Sequence, residues 1–424
     1  MLLLALNTEQ SITYKRAMNI VQAHKYYWPR DGASQYALYL SSLLEKQGNT
    51  IIPFAMKEKQ SLGNPYARFF VSEMKLDNSA SLGIFKKMNY ASKILYSREA
   101  KHNMEALLES ESINLVHLHN IYHHISPSIL KSIKKRGIPI VMTLHDYHLI
   151  SPNYTLYHHG EAHEEDARGW YLSCIKNKCV KDSRSQSLFA SLEMIFHHKI
   201  MRYYERYVDR FIAPSLFMRD ICLRFGFKKD RLLHIPHPID LNRYTVQPAD
   251  EGYVLYAGRL SEEKGLEVLL EAARETPNIN YKIAGSGPME ARLKEKAASE
   301  SIANLMFLGF LSGKALEDVL GKARLIVLPS LWYENYPISI LEAKALGKIV
   351  IGSKIGGIPE LLPRELCASP GDARSLAHLI QTWHAKPLSE REAMGKKLRE
   401  EAETINNPAV HAQKMLELYH SLAV

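Results

Sequence analysis

Two carboxylates bracket a helix start in the stretch WYENYPISILEAKALG, Trp332 to Gly347. Glu334 follows the strand-like run ARLIVLPS, and Glu342 lies further on in an apolar helical segment. A carboxylate is a pair of hydrogen-bond acceptors suited to the hydroxyls of a polyol. Glu334 falls at the carboxyl edge of its strand, where open α/β sheets bind ligands. Pro337 suits the first helical position and Gly347 the stop. Ile338, Leu341 and Ala345 then form the packed stripe, and Glu342 sits about a turn and a half past Pro337 at ~100° per residue. That place near a helix N-terminus predicts an ionised Glu342. On spacing alone, an exposed loop acid followed by an exposed helix acid explains the pattern equally well.

A second stretch, GRLSEEKG from Gly258 to Gly265, closes one strand-like run and opens the helical run LEVLLEAAR. A strand end feeding a helix N-terminus is an anion site, with free N–H groups and the positive end of the helix dipole. Arg259 and Lys264 add two cations, and the glycines allow tight turns. Diphosphate binding is the chemistry implied; a solvated charge cluster is the competing reading. AGSGP (284–288) also joins a strand to a helix, and its glycines, Gly285 among them, predict close approach of the backbone to a ligand.

The elements that must position these residues alternate. NIVQA, LVHLH, IPIVMTLHD and RFIAPS read as strands in the first half, separated by helical runs such as ASQYALYLSSLLEKQG and SPSILKSIKKRG. ASLEMIFHHKIMRYYERYVDR, near 190–210, reads as one long basic, aromatic helix. After the Pro-rich connector HIPHPIDLNRY the alternation restarts with YVLYAGRL. This is the pattern of two successive α/β domains with parallel sheets. The expected division is 18–240 with a polar insertion at 151–183, then 241–407, then a helix at 408–424 that packs back on the first domain. Residues 1–17 precede the first strand as an extension. The 424 residues, 46% hydrophobic and 23% charged, suit such a pair of domains. No apolar run reaches the ~20 residues of a membrane span, and MLLLAL has no cleavage pattern. A cytoplasmic protein is therefore expected. Its four cysteines fit a reducing compartment.

Taken in order on successive strand-to-helix turns, GRLSEEKG, AGSGP and LPSLWYENYPISILEAKALGKIVIGSKIGGIPEL resemble the nucleotide-sugar half of the retaining family 4 glycosyltransferases (glycosyl transferases group 1). The resemblance covers nearly the whole chain from Met18. It implies the GT-B fold: an α/β protein of two Rossmann-like domains whose parallel sheets face each other across a cleft. By resemblance, Arg259 and Lys264, beside Gly258, neutralise the donor diphosphate, Glu342 holds the ribose, and Glu334 faces the donor sugar. The backbone of Asn335, Tyr336, Pro337 and Ile338 bonds the sugar hydroxyls, Gly285 lines the donor pocket, and the backbone at Phe310 and Leu311 reads the base. In the first domain, YYWPRDGAS resembles the loop facing the donor phosphates. Gly32 is followed by Ala33 where the family usually carries a second glycine. His145 and Asp146 resemble the strand end beside the donor sugar.

The reaction implied is hexose transfer, with retained configuration, from a UDP- or GDP-linked sugar to a saccharide or lipid-linked saccharide in cell-surface polysaccharide or glycolipid synthesis. The family needs no catalytic metal or cofactor. Related transferases carry a cysteine pair where this insertion has His163 and Asp166. With Cys174 and Cys179, these four residues could hold a structural zinc as a loop staple; loss of the metal is equally consistent, and His158 and His159 compete as ligands. Residues 1–240 hold 32 Lys and Arg against 22 Asp and Glu, whereas the remainder holds 22 against 23. A basic first half fits an anionic acceptor or membrane surface, with the protein peripheral at the inner face. Nucleic acid is not expected, because neither a helix-turn-helix pattern nor base-stacking platforms are present. A GT-B sugar-nucleotide epimerase is the enzyme alternative.

Overall fold

The structure, a computed structural model, describes residues 17–75, 83–246 and 250–423. The expected extension 1–17 lies, apart from Ala17, outside the described residues. Two six-stranded parallel sheets organise the chain. The first contains β1 (Asn19–Ala23), β2 (Thr50–Phe54), β3 (Leu115–Leu118), β4 (Ile140–Thr143), β7 (Arg210–Ala213) and β8 (Leu232–His234), in the order β2-β1-β3-β4-β7-β8. Between β4 and β7 a short antiparallel hairpin, β5 (Tyr157–His158) and β6 (Glu161–Ala162), belongs to the polar insertion. The second sheet contains β9 (Val254–Ala257), β10 (Tyr281–Ala284), β11 (Leu305–Gly309), β12 (Leu325–Leu328), β13 (Ile349–Ser353) and β14 (Cys367–Ala368), in the order β11-β10-β9-β12-β13-β14.

The central strands LVHL, IVMT, LIVL and IVIGS are buried along their whole length. Such runs form where helices cover both faces of a parallel sheet. The second sheet has the doubly wound dinucleotide-binding order, and both sheets reverse their winding once. The reversals fall between β1 and β3 and between β9 and β12, and each leaves a crevice at the carboxyl edge. GRLSEEKG follows β9 and the Glu334 segment follows β12, so the two stretches singled out above flank one crevice. β2 was not expected as a strand. It carries Pro53, and it is tolerated because it occupies the sheet edge beside β1 alone.

The long helix expected near 190–210 is broken. A helix runs over Arg184–Met194, a π-helical turn over Ile195–Ile200, and a short helix over Tyr203–Tyr207, with Arg202 between them at a left-handed φ of 52°. The Lys-rich helix Leu130–Lys135 turns Leu130 and Ile133 into the core. Lys134 pairs with Asp209 at 2.9 Å, so this helix is packed rather than laid on a surface. The last helix, Pro408–Leu422, leaves the second domain and lies on the first sheet. There Met415, Leu416 and Tyr419 join Met18, Ile20, Tyr36, Leu40 and Val141 in one apolar cluster. No helix among the described residues is long and apolar enough to cross a membrane.

Candidate active site

The helix Ile338–Ala345 has Pro337 as its N-cap, not as its first residue. This start holds Glu334 just before the helix and inside the crevice, 5% exposed. Lys264 Nζ donates to Glu334 Oε1 at 2.6 Å and Ser330 Oγ donates to the same oxygen at 2.7 Å. The Lys264 ammonium also stands 4.8 Å from the Trp332 ring centroid. The acid after β12 and the cation after β9 are therefore one unit, which the sequence, with the two residues 70 positions apart, does not show. Ser330 and Trp332 also escaped the sequence reading, although both lie in the quoted motif. Arg259 is exposed and has no ion-pair partner among the described residues, which leaves it free to meet an anion.

The glycines here serve the loops themselves. Gly285 has φ 145°, and a Cβ on it would stand 1.8 Å from Gly258 O. A Cβ on Gly287 would stand 2.3 Å from Leu260 O, and one on Gly265 (φ 68°) 1.9 Å from Pro329 O. In AGSGP the Cβ positions of both glycines are already taken by neighbouring backbone, so the loop packing itself requires glycine there. Leu260 N donates to Ser286 O and Met289 N to Leu260 O, which fastens the loops after β9 and β10 together.

Glu342 is half-buried on the same helix, and Tyr244 Oη donates to its Oε1 at 2.9 Å. Burial raises its pKa, the opposite direction to the one a helix start would impose. Desolvation outweighs both the Tyr244 bond and Arg243. Tyr244, from the interdomain connector, was not singled out in the sequence. Phe310 is exposed at the end of β11, and Leu311 beside it packs on the second core.

The first domain meets this segment across the cleft. Gly32 opens the helix Gly32–Lys46, and a Cβ on it would lie 3.5 Å from Ile338 Cδ1. Asp31 caps that helix through Ser34 N, and Ala33 is half-buried behind Gly32. Asn335, expected to act through its backbone, also uses its side chain: Nδ2 donates to Leu144 O at 2.9 Å and Oδ1 accepts from Ser215 Oγ at 2.9 Å. The loop that carries Glu334 is thereby fixed to the residue before His145. Tyr336 is buried, and its hydroxyl accepts from Asn406 Nδ2. Glu360 of the second domain accepts from Leu216 N and Phe217 N at 2.7 and 2.6 Å, capping the helix Leu216–Arg224 of the first.

Burial lowers the His145 pKa to about 3, so the imidazole is neutral. It lies 3.0 Å from His119 Nδ1, and His119 Nε2 lies 2.6 Å from Gln22 Oε1. With that amide oxygen accepting, His119 carries its proton on Nε2. His145 then donates from Nε2 and keeps Nδ1 as an acceptor. Asp146 accepts from Asn120 Nδ2 and His148 N, and burial raises its pKa.

The insertion does not gather its four expected metal ligands. Cys174 and Cys179 are joined as a disulfide, with Cα atoms 4.9 Å apart. That pairing departs from the expected free thiols. Asp166 is buried and accepts from His158 Nε2 and Asn177 Nδ2, while His163 Nδ1 pairs with Glu165.

Residues 30–243 match the family model for Glycosyltransferase Family 4, and residues 242–401 match that for Glycosyl transferases group 1. An uncharacterized 42.6 kDa protein in the cps region of Klebsiella pneumoniae is 25% identical over 359 residues, covering 81% of this chain and 87% of that protein. The amylovoran biosynthesis glycosyltransferase AmsK of Erwinia amylovora is 34% identical over 140 residues, 30% of this chain and 34% of AmsK. Among solved structures, Anabaena HepE in complex with UDP and glucose superposes with a TM-score of 0.65 at 15% identity, covering 95% of this chain and 100% of that one. At that identity the likeness speaks for the fold alone. Two Rossmann-like domains that meet over facing switch points define a GT-B protein. The chain belongs to glycosyltransferase family 4, and it is a glycosyltransferase.

Proposed function

We propose that the protein transfers a hexose from a nucleoside diphosphate sugar to a hydroxyl of a saccharide or lipid-linked saccharide, with retained configuration, in polysaccharide synthesis. The observation that carries this reading is the Lys264–Glu334 pair at the switch point of the second sheet. A buried carboxylate, of the kind suited to sugar hydroxyls, there touches an ammonium suited to a diphosphate. Across the cleft stand the Gly32 helix start and neutral His145. Glu334 binds hydroxyls of the donor hexose, and Glu342 binds the ribose. As the C1–oxygen bond to the diphosphate breaks, Arg259 and Lys264 stabilise charge growing on the leaving group. The acceptor oxygen bonds to C1 on the same face, and its proton passes to a leaving phosphate oxygen. UDP is the favoured nucleotide, supported by the UDP and glucose named in the HepE complex; the polysaccharide setting is supported by AmsK.

The test is a thermal-shift panel of UDP- and GDP-sugars, followed by NMR of the anomeric proton of the product. Stabilisation by one UDP-hexose and a product of donor configuration are expected. No stabilisation by any nucleotide sugar, or an inverted product, overturns the proposal. A membrane-borne acceptor is supported by the basic first half of the chain and by its exposed Trp170, Leu172 and Leu192. Co-sedimentation with anionic vesicles at low and high salt tests it, and absence of lipid-dependent pelleting rejects it.

A further inference from the structure

A second group of ligating side chains lies at the carboxyl edge of the first sheet, outside the donor site. His123 comes from the loop after β3, His148 from the loop after β4, and Glu193 from the last turn of the helix Arg184–Met194. One ligand atom from each lies within 4.8 Å of the other two, and this is the sole such group of three among the described residues. His123 Nε2 is 3.2 Å from Glu193 Oε2, and His148 Nε2 is 3.7 Å from Glu193 Oε1. In a tetrahedral site with metal–ligand bonds of about 2.0–2.1 Å, ligand atoms stand about 3.3 Å apart. The group is therefore close to a coordination polyhedron before any metal is considered.

Two further observations point to a cation. Glu193 is 1% exposed, yet its Oε1 has no hydrogen-bond partner among the described residues. A buried carboxylate oxygen left in this way is costly unless something positive meets it. His197, on the π-helical turn that follows Glu193, donates from Nε2 to Leu95 O at 2.9 Å. Its Nδ1 is then an acceptor, and it faces Glu193 Oε1 at 3.7 Å. His197 therefore gives that oxygen no hydrogen bond, and Oε1 stays unpartnered. The interruption of the helix is part of the arrangement, because π turns commonly re-aim side chains at functional sites. His123 itself has a left-handed φ of 62°.

We propose that His123, His148 and Glu193 form a site for a borderline divalent metal of the zinc class, with His197 as the outer neighbour of the carboxylate. Two imidazoles and a carboxylate are a zinc-type donor set, and they leave a fourth position for water. The site ties the loops after β3 and β4 to the helix that carries the polar insertion. It thereby sets the position of Asp146, whose carboxylate accepts from His148 N. It takes no part in the displacement proposed above and stands independently of it.

The experiment is zinc analysis of the purified full-length protein, followed by cobalt titration of the chelator-stripped protein, read as d–d absorption and as change in Tm. The unsubstituted protein is expected to retain stoichiometric zinc and to give a tetrahedral cobalt spectrum. Glu193→Gln and His123→Ala should abolish both. His197→Ala removes neither a ligand nor a hydrogen bond to Glu193 and should leave the cobalt spectrum in place. The pair Cys174→Ser and Cys179→Ser should leave the spectrum unchanged, which separates this site from the insertion. If Glu193→Gln does not fold, His123→Ala decides, because a third of that side chain is exposed. No cobalt spectrum from the unsubstituted protein overturns the proposal, in favour of a proton shared between His123 and Glu193. Metal retained in His123→Ala or in folded Glu193→Gln overturns it as well.

Discussion

Replacing Lys264 by alanine separates what this side chain does for the reaction from what it does for the fold. Its ammonium is 2.6 Å from a carboxylate that is 5% exposed and otherwise held by Ser330. Removing one partner of a buried ion pair costs about 3–5 kcal/mol, chiefly because the other charge is left uncompensated. A fifth of the Lys264 side chain remains in water, so solvent screening brings the expected cost down to about 2–3 kcal/mol. The chemical loss is separate: removal of a preorganised stabiliser of the leaving group costs about 10²–10³ in kcat, or roughly 3–4 kcal/mol. Donor hydrolysis, read as release of nucleoside diphosphate, measures the second without requiring the acceptor, and thermal unfolding measures the first. The double variant Lys264→Ala with Glu334→Gln has no uncompensated charge. It should recover most of the lost Tm and none of the lost turnover. Turnover of Lys264→Ala within threefold of the unsubstituted protein refutes the diphosphate role. A double variant no more stable than Lys264→Ala refutes the account of the pair.

Tyr244→Phe leaves Glu342 buried without its donor, and should raise the donor KM by about 3–10-fold with little change in kcat, from loss of a bond of about 1 kcal/mol; an unchanged KM in steady-state assays removes Glu342 from the ribose site. Gly285→Ala meets Gly258 O at 1.8 Å from a backbone at φ 145° and should destabilise the second domain by about 3 kcal/mol or more, which proteolysis will read; resistance equal to the unsubstituted protein refutes the close-approach argument. Asn335→Ala loses its own two bonds across the cleft and should expand the molecule in small-angle scattering without lowering helix content; an unchanged radius of gyration means that contacts such as Glu360 to Leu216 N and Phe217 N suffice. Burial lowers the pKa of His24 to about 4, His145 to about 3 and His411 to about 4. These histidines are neutral when folded and protonate near 6.5 when unfolded, so their stabilisation is complete above pH 6.5 and falls by ~1.4 kcal/mol per pH unit for each between pH 6.5 and about 4. Urea midpoints that stay flat from pH 7 to 5 contradict this.

The inner strands of both sheets were legible because a parallel strand buried on two faces has to be an unbroken apolar run, as LIVL and IVIGS are, whereas the edge strands β2, β8 and β14 were not. The order of the motifs on successive turns then located the crevice. Less was legible where the cause lies in a distant partner. TIIPF reads poorly as a strand until its place at the edge is known. The break after Met194 has no proline or glycine to announce it, and Arg202 takes the left-handed turn instead. Gly285 was visible as a glycine but not for its reason, since the backbone it yields to comes from another turn. Asn335 and Ser215 meet from different domains, 120 residues apart. The position of Glu342 near a helix start says nothing of the surrounding burial, which pushes its pKa up.

The helix Pro408–Leu422 also bears on how the chain is made. One face of the first sheet is covered by residues synthesised almost 400 positions after its first strand, and Tyr419 reaches back to His117 at 2.7 Å. Until that helix emerges, Met18, Ile20, Leu40 and Val141 lack their cover, however complete the rest of the first domain has become. The domain made first is therefore the one finished last. A growing chain passes through a stage in which the second domain can close on itself while the first still exposes an apolar face. A truncation after residue 407 recreates that stage permanently, and its damage falls on the opposite end of the sequence from the cut.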